Sequence, residues 1–168
     1  MVGFFMHFSV FGSDHFMTWL CLGVVIYKKY SDERMTNAQA RAVCDQDSED
    51  ADVAGFLHLP MPRNDLENQI YFGIIAGEER GTWLDIHEVM PRTSPRTWVY
   101  KDGSPVTWVN WAPGEPNDYR NSNETDAEML FTNGKWNDQR MYNTFAVCTY
   151  FLPAGVENDC TWLHDFEN

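Results

Sequence analysis

Two short clusters of oxygen-bearing side chains hold the chemistry of this sequence. Glu115-Pro116-Asn117 and Trp136-Asn137-Asp138 both fall within residues 111–138. Carboxylates and amide carbonyls are what a hard cation prefers over sulfur or imidazole, and Ca²⁺ takes about 6 to 8 such oxygens. Glu-Pro-Asn alone reads as a surface turn, because these residue types favour turns whether or not they bind anything. The second cluster changes that reading. Asn133-Gly134 is a strong hairpin signal between Met129-Leu130-Phe131-Thr132 and Lys135-Trp136, so Asn137 and Asp138 fall at a strand start beside the loop that carries Glu115 and Asn117. The expectation is a calcium site that can also hold a sugar.

The rest of the chain must supply a scaffold for those loops. A length of 168 residues points to one domain, and 15% aromatic residues provide the apolar surface for its core. Trp83, Trp98, Trp108 and Trp111 fall on strand-like stretches, which favours core packing over sugar stacking. Tyr119, just after the first cluster, reads equally as a residue packing on a bound pyranose and as a surface side chain. A formal net charge of −13 repels phosphates, which excludes nucleic acid and anionic membrane lipid as partners and suits a cation. The acid run Asp45, Asp47, Glu49, Asp50 and Asp52 reads as a solvated helix end or loop. No G-x-S-x-G, P-loop or HExxH stands in the sequence, and no CxxC or Cys/His spacing suggests zinc, so an enzyme is not expected.

Residues 110–118, Asn-Trp-Ala-Pro-Gly-Glu-Pro-Asn-Asp, and residues 131–138, Phe-Thr-Asn-Gly-Lys-Trp-Asn-Asp, followed by Phe145-Ala146-Val147-Cys148, resemble the C-type lectin-like domain. The resemblance is strongest to the collectins, the mannose-binding and surfactant lectins, and covers residues 25–151. Further matches lie upstream. Ala40 and Cys44 fall in a helical stretch with a polar start, residues 36–46, like the first helix of that family. Leu59, Pro62, Glu67 and Asn68 resemble the approach to its second helix, and residues 98–103, Trp-Val-Tyr-Lys-Asp-Gly, resemble the hairpin before its long loop. The implied fold is α+β, two helices flanking small antiparallel sheets with a long irregular calcium-binding loop region. Residues 20–153 would form that domain, residues 1–19 an atypical leader or extension, and residues 154–168 a tail.

The resemblance also implies residue roles. It pairs Cys44 with Cys148, a long-range bridge that would contribute roughly 4 kcal/mol. Cys21 with Cys160 would be the second pair, on the closeness of the chain ends in that fold, although four cysteines allow three connectivities. The family's inner disulfide is missing, its positions being held here by Ala127 and Met141. Glu115, Asn117, Asn137 and Asp138 are implied as calcium and sugar ligands, with a cis bond before Pro116. The fifth ligand, an acid, is displaced by a longer loop. Strict alignment puts Thr125 there, Glu124 is preferred, and Asp126 is the runner-up. The order Glu then Asn is associated with equatorial 3- and 4-hydroxyls, hence with mannose, N-acetylglucosamine, fucose or glucose rather than galactose. Asp85 and Glu88 match the family's second calcium site poorly, and His87 reads as an ordinary loop histidine.

The resemblance and the cysteines imply a secreted, extracellular protein whose weak single site would gain avidity in a homo-oligomer. No collagen-like repeat or heptad run specifies one. Asn123-Glu124-Thr125 is an N-glycosylation sequon, which places a glycan candidate at Asn123 beside Glu124. Residues 16–27 are apolar but short for a membrane span, which needs about 20 residues. A signal peptide and an opening strand over residues 19–27 both stay open. The competing function is a lectin-like domain that binds a protein partner without recognising sugar.

Overall fold

Helix α1 (Asn37–Asp50) starts at a reciprocal cap. Gln39 N–H donates to Thr36 Oγ1 at 3.2 Å, and Gln39 Oε1 accepts from Thr36 N–H at 2.9 Å, so free first-turn donors are satisfied at both ends of the box. The chain in this computed structural model is described over residues 19–22, 25–50, 57–140 and 144–151. Buried positions Asn37, Ala40, Cys44, Asp47 and Ser48 follow the helical repeat and form one stripe. The helix runs four residues beyond the expected end, because Asp47 is drawn inward. Tyr30 Oη donates to both its oxygens at 2.8 and 2.7 Å. Asp47 is thus a buried acceptor rather than part of a solvated end, while Asp45 pairs with Lys101 at 2.6 Å.

Helix α2 (Asp65–Ile75) is capped by Asn64, whose side chain accepts from Glu67 N–H at 2.9 Å. It buries Asn68, Tyr71, Ile74 and Ile75 against the core. Strands β1 (Trp19–Leu22), β2 (Val25–Met35), β3 (Thr82–Glu88), β4 (Trp98–Tyr100), β5 (Asp126–Met129), β6 (Trp136–Gln139) and β7 (Thr144–Phe151) complete the fold, with a 3-10 turn at Tyr119–Asn121. The strand order is β1-β2-β7-β3-β5-β6, with β4 pairing β3. All these pairings are antiparallel except β3 with β7, which is parallel through Thr82 and Phe145. The architecture is the expected α+β fold with two helices, but the sheet is mixed through the parallel β3–β7 pairing where only antiparallel sheets were expected. The opening of the chain forms two strands, β1 and β2, where one was considered.

Two apolar clusters lie between these elements. One packs Tyr71, Leu84, Trp98, Tyr100, Met129 and Trp136 under the long loop. The other packs Leu57, Leu59, Trp83, Ala146 and the cysteine pair beneath α1. Trp83 is fully buried and donates its Nε1–H to the Met35 carbonyl at 2.7 Å, which satisfies the one polar atom it carries inward. Trp98 is buried on β4, whereas Trp108 and Trp111 lie outside the named strands and pack partly buried against the first cluster. Cys44 and Cys148 are bonded, with their Cα atoms 5.2 Å apart, and join α1 to β7.

Residues 1–18 of the expected leader, the tail 154–168 and the Cys160 end of the second expected disulfide lie outside the described residues, as do Asp52, Met141 and Tyr142. Among the described residues, no helix is long and apolar enough to cross a membrane.

Candidate metal centre

The β5–β6 hairpin places the second oxygen cluster. Its ladder pairs Ala127 with Asp138 and Glu128 with Asn137, so neighbouring residues of β6 face opposite sides. The turn is longer than a two-residue hairpin. Leu130 N–H bonds the Lys135 carbonyl and Gly134 N–H bonds the Leu130 carbonyl, both within hydrogen-bond length. Gly134 takes φ +68, the left-handed region glycine enters without steric cost. The first cluster is anchored alongside. Ala112 N–H donates to the Trp136 carbonyl at 2.8 Å, Trp136 N–H donates to the Asn110 carbonyl at 2.9 Å, and the Glu115–Pro116 bond is cis.

Asp138 is the hub of the site. It is fully buried, and its Oδ1 accepts from Asn117 N–H while Oδ2 accepts from Asp118 N–H, each at 2.9 Å. Asn117 Nδ2 donates to Glu115 Oε1 at 2.8 Å. Glu115 Oε2 is buried and meets no N–H donor of the fold; the group beside it is the Asp138 carboxylate. Burial first, then the neighbouring Asp138 as partner and like charge, and then Glu124, push the Glu115 carboxyl up to about 7. Asp138 moves the other way. Burial opposes its charge, but Arg96 and the N–H groups of Asn117 and Asp118 hold its carboxyl below the usual range. With Glu115 raised and Asp138 lowered, the two carboxyls favour sharing one proton as pH falls below about 7, at a point where a divalent cation would satisfy both.

Glu124 and Asp126 separate clearly. Glu124 is buried, its Oε2 accepts from Tyr119 N–H at 2.7 Å, and its charge reaches Glu115. Asp126 instead lies opposite His87 across the β3–β5 ladder and feels the charges of Arg41 and His87. Asn137 stands opposite Glu128 across the β5–β6 ladder. Its Nδ2 donates to Glu128 Oε1 at 3.1 Å, which leaves its Oδ1 as the end available to an ion. Among the described residues, no group of three or more His, Cys, Asp and Glu side chains stands ready to hold a metal ion. The donor set still fits calcium chemically, since it mixes carboxylates with amides and includes a buried carboxylate oxygen that no N–H group of the fold reaches.

Several participants were not legible as such. Arg92 and Arg96, in the proline-flanked insertion before β4, reach into the centre. Arg96 Nη1 donates to Asp138 Oδ2 at 2.5 Å, and both arginines bind Glu88. Asp85 Oδ1 lies 2.7 Å from Arg41 Nε without hydrogen-bond alignment, and burial pushes its carboxyl up, whereas Glu88 is held by both Arg92 and Arg96. His87 lies on β3 rather than in a loop, with Nδ1 3.3 Å from Arg41 Nη2. Glu128 was also missed, because its pairing with Asn137 depends on strand register. Tyr119 is 59% exposed with Arg120 over its ring, and the sequon residue Asn123 is exposed.

Residues 33–150 match the family model described as lectin C-type domain. Among similar proteins, pulmonary surfactant-associated protein D of Bos taurus is 30% identical over 118 residues, which is 70% of this chain and 28% of that protein. Mannose-binding protein of Gallus gallus is 34% identical over 92 residues, 54% of this chain and 34% of that one. The chain thus spans about a third or less of the length of these relatives. Among solved structures, the mouse scavenger receptor C-type lectin carbohydrate-recognition domain aligns with a TM-score of 0.63 at 24% identity, covering 81% of this chain and 95% of that one. The cow C-type carbohydrate-recognition domain of CD23, crystallised in the presence of a GlcNAc2Man3 oligosaccharide, aligns with a TM-score of 0.64 at 21% identity, covering 87% and 99%.

Proposed function

This chain belongs to the C-type lectin domain family, and we propose that it binds mannose-type sugars through a calcium ion held by Glu115, Asn117, Glu124, Asn137 and Asp138. Carbohydrate binding without catalysis is what the family does in general. The finer reading rests on one observation, the buried Glu115 Oε2, which no N–H group of the fold reaches, set beside the Asp138 carboxylate. An uncompensated carboxylate oxygen in such a place is costly unless a cation or proton meets it.

Glu115, Asn117, Glu124, Asn137 and Asp138 would hold the calcium ion, which when bound would supply the charge that draws vicinal hydroxyls of a pyranose to the site. The protein groups then complete those hydroxyls. Glu115 accepts a hydrogen bond from one hydroxyl, and the amides of Asn117 and Asn137 donate to hydroxyl oxygens. This acid-then-amide order favours the equatorial 3- and 4-hydroxyls of mannose, N-acetylglucosamine, fucose or glucose. So few contacts imply monosaccharide affinity on the order of millimolar, about −4 kcal/mol. A homo-oligomer would raise avidity through effective concentration. The setting is extracellular, in line with the relatives, and the partners are mannose-type glycans.

Retention on mannose-agarose in millimolar calcium, release by a chelator, and loss of retention in Glu115→Ala are the expected results. Retention that survives the chelator would overturn the reading. A second reading, protein binding without sugar recognition, draws support from Asn137 being turned to Glu128. Calcium-independent capture of a protein partner with no sugar retention would favour it.

A further inference from the structure

Two guanidinium groups join three segments of the chain at the edge of the centre. Arg96 donates from Nε to Glu88 Oε1 at 2.8 Å, from Nη2 to Glu88 Oε2 at 2.9 Å, and from Nη1 to Asp138 Oδ2 at 2.5 Å. Its Nη2 also reaches the Glu124 carbonyl, and its plane lies over the Trp98 ring at 4.7 Å. Arg92 donates from Nε to both Glu88 oxygens at 2.9 Å and from Nη1 to the Asp118 carboxylate. Strand β3, the loop at Asp118 and Glu124, and strand β6 are thereby tied through one fully buried glutamate side chain.

No covalent tie does this work. The sequence has no cysteine between Cys44 and Cys148, so the long loop carries no disulfide of its own. Glu88, Asp118, Glu124 and Asp138 bring four carboxylates to one place, and without counter-charge their repulsion would drive the loop outward. A guanidinium fork matches carboxylate geometry and stays charged at every physiological pH. Arg96 also takes only Oδ2 of Asp138, and Oδ1 is left with Asn117 N–H and a further lone pair.

We propose that Arg96, assisted by Arg92, is a positioning residue that holds the 115–126 loop against β3 and β6 independently of any bound ion. That this held shape is the one competent for calcium and sugar rests on the function proposed above. The bracing itself does not. Arg96 touches neither the sugar nor the ion in this account; it acts through Asp138 and Glu88.

Residue-resolved amide hydrogen exchange of the full chain in excess chelator tests the bracing directly. The reporters are the Asn117 and Asp118 N–H groups that donate to Asp138, with β3 amides as the control. The expected result is that Arg96→Gln speeds the two loop amides by about tenfold or more while β3 is unchanged. Arg96→Lys, which keeps the charge but loses the fork, should fall between. Loop amides that are unprotected in the unaltered chain, or as slow in Arg96→Gln, would overturn the proposal. If β3 also accelerates, Arg96→Lys decides, since it keeps the positive charge beside Glu88 and removes only the fork: acceleration confined to the loop supports bracing, and loop amides as slow as in the unaltered chain, or accelerated no more than β3, refute it. Calcium binding of the unaltered chain, titrated separately, reports on the function and not on the brace.

Discussion

The side chain of Asn68 accepts the indole N–H of Trp136 at 2.8 Å, and its own Nδ2 donates to the Gly134 carbonyl at 3.1 Å. One amide on α2 thus fixes both the turn and the strand that carries Asn137 and Asp138. Both bonds are buried. Asn68→Ala would leave a buried donor and a buried acceptor each one partner short, and should cost about 2–4 kcal/mol in urea unfolding. A loss under 1 kcal/mol would show that water replaces the amide there.

Gly134 should resist any side chain. Its φ is +68, and an added Cβ would stand 2.9 Å from Phe72 Cγ. Neither the backbone nor the near end of the phenylalanine can yield cheaply. Gly134→Ala is expected to destabilise the protein by about 1–3 kcal/mol in the same unfolding assay. A neutral effect would mean that the hairpin turn rearranges freely.

Much of this architecture is legible in the sequence because local signals and long-range needs agree. The polar start of the 36–46 stretch marks one helix, and Asn133-Gly134 announces the turn that sets Asp138 beside Asn117. The Cys44–Cys148 bridge came from the family resemblance, and the spacing alone would not have fixed it. Arg92 and Arg96 were missed for a physical reason. Arg92 follows Pro91 and Arg96 follows Pro95, in an insertion whose local sequence says only loop, and their partners Glu88, Asp118 and Asp138 are brought near by folding. Glu128 was hidden likewise. That it faces Asn137 follows from a one-residue choice of register, which also turns Asp138 to the opposite side.

The site should respond to pH through Glu115. Its carboxyl is raised from the ordinary 4.5 to about 7, so between those values the folded chain holds a proton that the unfolded chain has released. Stability from this group is therefore full below the lower value and is lost as pH rises through the upper one. Calcium must displace the same proton. Its affinity should climb by up to roughly tenfold per pH unit in that window and level off above about 7. Calcium titrations at several pH values check this, and a flat profile across the window would contradict Glu115 as a ligand.

Reversing the first cluster should reverse the sugar preference. Glu115→Gln with Asn117→Asp keeps the side-chain sizes and one negative charge but exchanges which end accepts and which donates. The double variant is expected to lose mannose retention and gain galactose retention, in competition elution from sugar-linked agarose. Loss of both would point to a site that no longer holds its ion, and unchanged mannose preference would show that these residues do not set the specificity.

The central claim is that one divalent ion, held by Glu115, Asn117, Glu124, Asn137 and Asp138, is the anchor for a sugar diol. Isothermal titration of the full chain with calcium, followed by methyl mannoside with and without chelator, tests it most directly. The account predicts one calcium per chain and sugar binding only in the calcium-loaded protein. Sugar heats that persist in chelator, or a chain that takes up no calcium, would contradict it.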